Sequence, residues 1–380
     1  MRKTGLLWVM LGFFLFNQTA AAGWTAAKRL TWTVAESMKP AVAVGPSGYV
    51  HVVWYDKATG NNEVYYKKST DGGSTWSKST RFTLSEDSRD PDIAIDSGGN
   101  LYVVWARLID GHFEIYYRGS TDEGTTWLAG RRLTWNSGDS MTPVIAVDSN
   151  GNPHLAWYDY TPGNYEIYYR KSTDGGASWL ASTRLTWTSA NSYELAIAND
   201  LSDNPHVVWY EDTPAGNYEI YYKRSTDGGT SWSTAKRLTW TSTDSQYPVI
   251  AVDTSGYLYV AWHEYMPGNS ELYCKKSEDG GATWSGKRLT WTSGYSSFPD
   301  MATDSSGSLH IVWDDSTPGN HEIYYRMTSD GGNSWSTQRL TWTAGFSTFP
   351  DIAVDSSGNA HVVWHDDTPG NSEIYYLKGK

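Results

Sequence analysis

The chain repeats one unit seven times. The tetrapeptide Arg-Leu-Thr-Trp, or a variant of it, recurs at steps of 51–53 residues, beginning at Arg29, Arg81, Arg132, Arg184, Arg237, Arg288 and Arg339. Each unit then carries Pro-x-Ile-Ala-Val-Asp, a Ser-Gly turn, His-Val-Val-Trp, a Thr-Pro-Gly-Asn loop, Glu-Ile-Tyr-Tyr and an Asp-Gly-Gly turn. These segments are short, β-branched and aromatic, so they predict four strands per unit, and none keeps a helical period. Four strands in a repeat of this length are typical of a β-propeller blade.

The number of blades and the closure of the ring follow from the same repeat. Seven strands of the Val-Val-Trp type predict seven blades. The last unit reaches its Glu-Ile-Tyr-Tyr strand at residues 373–376 without an outer strand to follow, and a matching strand stands at residues 24–32. We therefore expect an all-β, seven-bladed β-propeller with four antiparallel strands per blade, closed by the N-terminal strand completing the last blade.

The start of the chain has the pattern of a secretory signal peptide at residues 1–22. Arg2 and Lys3 precede an apolar run that ends at Phe16, and three alanines follow at residues 20–22. The apolar run is about a dozen residues, shorter than the roughly 20 that span a bilayer. We expect residues 23–380 to form a single propeller domain that is secreted, extracellular or periplasmic, monomeric and not inserted in a membrane.

Charge and cysteine content exclude several classes of protein. The 30 basic and 42 acidic residues give −12, and removing Arg2 and Lys3 gives −14, which argues against nucleic acid and anionic membranes as partners. The single cysteine, Cys274, forms no internal disulfide. It replaces the second Tyr of a Glu-Ile-Tyr-Tyr strand and predicts a small buried hydrophobe.

The repeat accounts for all 21 tryptophans. Seven end the Val-Val-Trp strands, seven close hairpins if Trp24 is included, six belong to Arg-Leu-Thr-Trp, and Trp8 lies in the signal peptide. We expect this lattice of indoles to hold the blades together, with a stacking role for one or two exposed tryptophans as the alternative.

Six hairpins share the motif Ser/Thr-x-Asp-x-Gly-x-Ser/Thr-Trp, whose aspartates are Asp71, Asp122, Asp174, Asp227, Asp279 and Asp330. The motif resembles the Asp-box of the bacterial neuraminidase repeat, which is found in the sialidase superfamily and in other secreted propellers. The resemblance implies a structural role for these aspartates, on the face opposite the active site. It implies no particular activity.

The units differ most just before Pro-x-Ile-Ala, in the loop that leads to the channel-lining strand. Variation confined to one ring suggests an amphipathic mouth for a ligand, and drift at solvated positions is the alternative. With the unusual residues of the second unit, the candidate ligand-binding residues are Lys39, Arg89, Asp90, Arg107, Asp110, Glu194, Tyr247, Phe298 and Phe349.

The loop after Val-Val-Trp carries a carboxylate in six units: Asp56, Asp159, Glu211, Glu264, Asp315 and Asp366. Beside aromatic neighbours, these carboxylates suit sugar hydroxyls or Ca²⁺, or they cap their own turns. Because no set of residues has metal-ligand spacing, we predict no metal and no cofactor, and Ca²⁺ has no specific motif.

The second unit also suggests an enzyme. Its Arg89-Asp90-Pro91 is similar to the Arg-Ile-Pro motif of sialidases, whose arginine binds the substrate carboxylate. The resemblance places Arg107 and Asp110 near that family's further binding arginine and its acid/base aspartate. However, Asp90 replaces the isoleucine, no Tyr–Glu pair can be singled out, and sialidase domains have six blades.

Two functions follow, and a purely structural or scaffold role is a third alternative. The first is a non-catalytic carbohydrate- or protein-binding module whose partner is a glycan or an extracellular protein. The alternative is a sialidase-like glycoside hydrolase of the exo-alpha-sialidase type that uses Arg89, Arg107 and Asp110. The first is favoured, because the mouth has no arginine cluster and the negative charge repels an acidic sugar.

Overall fold

The described residues, 21, 23–84 and 86–380, form seven antiparallel sheets of four strands each in the computed structural model. The predicted signal peptide at residues 1–22 lies outside them apart from Ala21. The seven-bladed prediction is confirmed. No helix long and apolar enough to span a membrane occurs in these residues.

The first strand of each blade lines the central channel, and the second is buried on both faces between neighbouring sheets, as at Pro153–Asp159. The first strands are β2 Ser37–Val44, β6 Ser88–Ile95, β10 Ser140–Val147, β14 Ser192–Asn199, β18 Ser245–Val252, β22 Ser296–Thr303 and β26 Ser347–Val354. The second strands are β3 Val50–Asp56, β7 Leu101–Ile109, β11 Pro153–Asp159, β15 Pro205–Asp212, β19 Leu258–Met266, β23 Leu309–Asp315 and β27 Ala360–Asp366.

The outer half of each blade pairs the Glu-Ile-Tyr-Tyr strand with a short edge strand. The third strands are β4 Glu63–Ser69, β8 His112–Ser120, β12 Glu166–Lys171, β16 Tyr218–Arg224, β20 Asn269–Ser277, β24 Glu322–Thr328 and β28 Glu373–Lys378. The outer strands are β5 Thr80–Arg81, β9 Arg131–Arg132, β13 Thr183–Arg184, β17 Lys236–Arg237, β21 Ser285–Arg288, β25 Ser336–Arg339 and, from the N-terminal end, β1 Lys28–Arg29.

The N-terminal strand completes the last blade, as predicted. Lys28 pairs with Tyr376 and Arg29 with Tyr375, and the order of that sheet is β1-β28-β27-β26. Leu30 donates its backbone N–H to the Ile374 carbonyl at 2.7 Å and is buried. The ring therefore closes without an unpaired seam.

The alternating strand directions sort the loops onto two faces. The loop before each first strand and the loop after each second strand share one face, which we call the mouth face. The Asp-box hairpins lie on the other face. In one of them, Asp174 accepts bonds from the hydroxyls of Ser172 (2.7 Å) and Ser178 (2.6 Å) and from the Ser178 N–H (2.7 Å). These donors lower the pKa of Asp174 to about 2, so its carboxylate stays charged and holds the hairpin.

The hydrophobic core consists of seven clusters, each between two neighbouring blades. Trp105 of the second blade, for example, packs with Val53 and Tyr66 of the first. Tyrosines link the blades further: the Tyr169 hydroxyl lies where a Cβ on Gly229, in the next Asp-box, would sit, and Trp232 packs edge-on against the same ring at 4.9 Å. Two of the three tryptophan sets thus hold the blades together, as predicted.

The prediction is wrong for the third set. The tryptophans of Arg-Leu-Thr-Trp are 45–69% exposed: Trp32, Trp135, Trp187, Trp240, Trp291 and Trp342. The preceding leucine takes the position in the core between blades, as Leu185 does. The tryptophan then lies beyond the short outer strand, where no further sheet covers it.

Candidate functional site: the mouth of the central channel

A β-bulge at the start of each first strand brings one residue per blade to the channel mouth. The register shifts at the same place in every blade, for example between Met38 and Ala41. The bulged residue has a left-handed φ of 30–52° in all seven blades: Lys39, Asp90, Thr142, Glu194, Tyr247, Phe298 and Phe349. All seven line one pocket of about 270 Å³. We call these residues the mouth ring.

One side of the mouth ring is aromatic. Phe298 and Phe349 stack with ring centroids 4.0 Å apart, and Tyr247 meets Phe298 edge-on at 4.6 Å. His263 stacks under Tyr247 at 5.3 Å and His365 under Phe349 at 5.4 Å. Burial lowers the pKa of His263 to about 3 and that of His365 to about 4, so neutral imidazoles support this aromatic wall.

The other side of the mouth ring is charged. Lys39 Nζ lies 2.7 Å from Asp90 Oδ1. Although burial alone would lower it, the pKa of Lys39 is raised by the Asp90 and Glu194 carboxylates. Burial raises the pKa of Glu194, and Lys39 opposes that rise. The mouth therefore offers one cation and two carboxyl groups opposite an apolar wall.

Three carboxyl groups form the floor of the pocket: Asp92, Asp300 and Asp351. Each accepts a backbone N–H of the following blade, from Ile145 at 2.8 Å, Ile352 at 2.9 Å and Val42 at 2.7 Å respectively. Burial raises the pKa of Asp92 to about 7 and raises those of Asp300 and Asp351, which also interact with each other. The floor therefore carries both neutral acids and carboxylates near neutral pH.

The sialidase-like residues of the second blade lie elsewhere. Arg89 is bound to Asp87 and its guanidinium lies 4.5 Å from the Phe113 ring, while Arg107 is bound to Glu86. Asp110 is exposed in the β7–β8 hairpin, with a φ of 53°. None of the three sequence candidates lines the pocket, and no arginine is among its lining residues.

The carboxylates after Val-Val-Trp are turned inward. Asp56 is buried, accepts the Ser37 hydroxyl at 2.6 Å and caps its own turn through the Ala58 N–H at 2.7 Å. Asp159, Asp315 and Asp366 repeat both contacts. The geometry thus favours the capping alternative for these four. Within the part of the chain that is described, no group of three or more acidic, histidine or cysteine side chains is placed to hold a metal ion.

The structure brings together six of the nine sequence candidates: Lys39, Asp90, Glu194, Tyr247, Phe298 and Phe349. Sequence reasoning missed the seventh member of the ring, Thr142, and the floor. The signal for the floor was present, since three units have Asp directly after the proline where the others have Ala or Val.

Solved structures with the same fold include enzymes that act on carbohydrates. An ulvan lyase solved with bound -[GlcA(1-4)Rha3S]- superposes with a TM-score of 0.67 at 12% identity, covering 93% of this chain and 96% of the lyase. A Hadza microbial sialidase gives 0.56 at 14% identity, over 87% of this chain and 76% of that one. A protein of unknown function from Dyadobacter fermentans gives 0.60 at 14% identity, over 78% and 96%. At such identities the likeness shows the fold, which is compatible with a glycosidase.

Among curated proteins, no sequence matches the chain. The family model described as "BNR repeat-like domain" matches residues 9–260, well over half of the chain. Together with the six Asp-boxes and the seven-bladed ring, this match shows that the chain belongs to the BNR repeat-like, sialidase-type β-propellers.

Proposed function

We propose that the chain is an exported, non-catalytic carbohydrate-binding propeller whose binding site is the mouth ring. The observation that carries the proposal is the pairing of an aromatic wall, Tyr247, Phe298 and Phe349, with the Lys39–Asp90 ion pair across a pocket of about 270 Å³. The aromatic wall offers an apolar surface to the C–H groups of a sugar, and charged groups bind its hydroxyls.

The size of the pocket suits a sugar ligand. Ligand pockets typically measure about 300–1,000 Å³, so this one suits a single sugar residue or the end of a chain. The saccharide named for the ulvan lyase is in keeping with this proposal.

A glycan array followed by calorimetry tests the proposal. We expect Phe298→Ala to weaken binding of the best array ligand about 10-fold, or about 1.4 kcal/mol, because the centre of the aromatic wall is removed. Val34→Ala, at a residue that is 94% exposed and not among the lining residues of the pocket, is the control and should bind as wild type. An array without any bound sugar would contradict the proposal and direct the search to an extracellular protein.

The sialidase-like alternative has less support, because Arg89 and Arg107 are each bound to a carboxylate outside the pocket. Release of a fluorophore from a panel of glycosides tests it. Activity that is present in the wild type and lost in Asp110→Ala would favour the enzyme over the binding module.

A further inference from the structure

We propose that the six exposed tryptophans form a second set of binding sites, around the rim of the mouth face, for the pyranose rings of a polysaccharide. These sites, which we call the rim clefts, lie between neighbouring blades and are separate from the mouth ring. The proposal goes beyond the function assigned to the mouth ring and does not depend on it.

Each rim cleft presents an indole held in place from one side. In five of the six, the arginine of the same tetrapeptide lies 5.6–5.8 Å from the ring centroid, as Arg184 does beside Trp187, and in the sixth it lies at 5.4 Å. The arginine is fixed in turn, because Arg184 also binds the buried Glu166 at 2.9 Å. With 66% of Trp187 exposed, the rest of its surface is open to a ligand.

A second basic residue reaches each of three indoles from the following blade. Lys223 Nζ, for example, lies 5.2 Å from the Trp187 centroid and donates to the Leu185 carbonyl. Burial lowers the pKa of Lys223. The cleft thus combines an apolar platform with a donor beside it, and carbohydrate binding needs both: the ring's C–H face stacks and its hydroxyl or carboxylate groups accept.

The cleft at Trp291 is a formed pocket of about 270 Å³. Asp315, Tyr324 and Arg326 line it, together with threonines. Arg326 is itself fixed in the cleft, because its Nη1 donates to the Leu289 carbonyl and its guanidinium lies 5.2 Å from the Trp335 ring centroid.

One cleft, between the first and second blades, lacks both the tryptophan and the carboxylate. There, Leu84 replaces the tryptophan and Arg107 replaces the carboxylate, and Arg107 is bound to Glu86. Leu84 is 60% exposed, so the core does not dictate the indole at this position. We therefore expect this cleft not to bind a sugar, so that a substitution of Leu84 serves as a control for substitutions of the tryptophans.

Six weak sites on one face favour a polymer over a single sugar, because linked binding events raise the apparent affinity by avidity. The test is affinity electrophoresis of the full chain in gels that contain soluble β-glucan, xylan or polygalacturonate. We expect at least one of them to retard the wild type, with the neutral and the uronate chains distinguishing hydroxyl from carboxylate recognition. The triple variant Trp135→Ala/Trp187→Ala/Trp240→Ala should bind about 10- to 100-fold more weakly.

Leu84→Ala should be retarded like the wild type, which shows that a loss in the triple variant comes from the indoles and not from any change at an exposed rim position. Circular dichroism and Tm of the triple variant show whether it is folded, and exposed positions should leave both unchanged. No retardation on any of the three polymers, or equal retardation of wild type and triple variant, would overturn the proposal. So would sedimentation with phosphatidylcholine–phosphatidylglycerol vesicles that is lost in the triple variant without any polymer binding.

Discussion

At the scale of single residues, the mouth ring has left-handed backbone angles but contains no glycine. A glycine adopts a left-handed φ without steric cost, yet none of the seven mouth-ring residues is glycine. Six of them also precede a proline, which restricts the backbone further. Seven side chains are therefore kept at a strained position, and such strain often accompanies function.

The buried carboxyl group of Asp92 predicts a pH effect on stability. Its pKa rises from 3.8 to about 7 on folding, so the folded state favours the proton. The stabilisation of the folded state by this proton is complete below about pH 4 and is lost as the pH rises through 7. We expect the free energy of unfolding of Asp92→Asn, relative to that of the wild type, to rise by on the order of 2 kcal/mol between pH 5 and pH 8. Urea denaturation at the two pH values measures this difference.

The comparison with the wild type is needed because buried histidines act in the opposite direction. Burial lowers the pKa of His51 to about 3, so stability falls as the pH drops below 6.5, equally in both proteins. Asp174→Asn is the control, since the pKa of Asp174 is about 2 and its difference from wild type should not vary over this range. An Asp92→Asn difference that is constant from pH 5 to pH 8 would refute the assignment.

At the scale of structural elements, one contact between blades is missing its tyrosine. Tyr169 fills the space against Gly229 of the next blade, whereas Cys274 stands at the equivalent place in the fifth blade. A half-open pocket of about 280 Å³ lies at this place, and Cys274, Gly332 and Trp335 are among its lining residues. Burial raises the pKa of the Cys274 thiol to about 12, so this cysteine is an inert, buried group, as the sequence predicted.

Restoring the tyrosine should stabilise this contact. We expect Cys274→Tyr to raise the free energy of unfolding by about 0.5–2 kcal/mol, because it fills this pocket. The second blade shows that the substitution fits, since Tyr102 and Tyr117 coexist there as Tyr259 and the new tyrosine would. Cys274→Ala should be neutral or destabilising, and a Cys274→Tyr protein that melts below it would show that the pocket cannot accept the ring.

The period of the sequence predicts the elements well and their exposure poorly. Repeated short runs of β-branched and aromatic residues predict all seven blades and the closing strand, because strands buried within the ring need such residues. Whether Trp187 is covered depends instead on where the outer strand ends and on what the neighbouring blade supplies. In the same way, the ion pairs of Arg89 and Arg107 with their own loop depend on three-dimensional placement that spacing does not encode.

At the scale of the whole molecule, stability depends on one short seam. The strand Lys28–Arg29 is only two residues long and forms few backbone hydrogen bonds. We therefore expect much of its stabilisation to come from Leu30, which is 1% exposed in the core between the last and first blades. We expect Leu30→Ala to cost about 2–5 kcal/mol in chemical denaturation. Val34→Ala, four residues on and 94% exposed, should cost less than about 0.5 kcal/mol. Equal losses in the two variants would show that the seam does not close the ring.

The seam also places the two ends of the described ring side by side: Lys380 donates its backbone N–H to the Gly23 carbonyl at 2.9 Å, and Trp24 bridges Gly379. A short peptide joining residues 380 and 23 would make the order of the blades cyclic. The chain could then be reopened at another surface loop, such as that around Gly216, and the same seven sheets would be threaded from a new starting point.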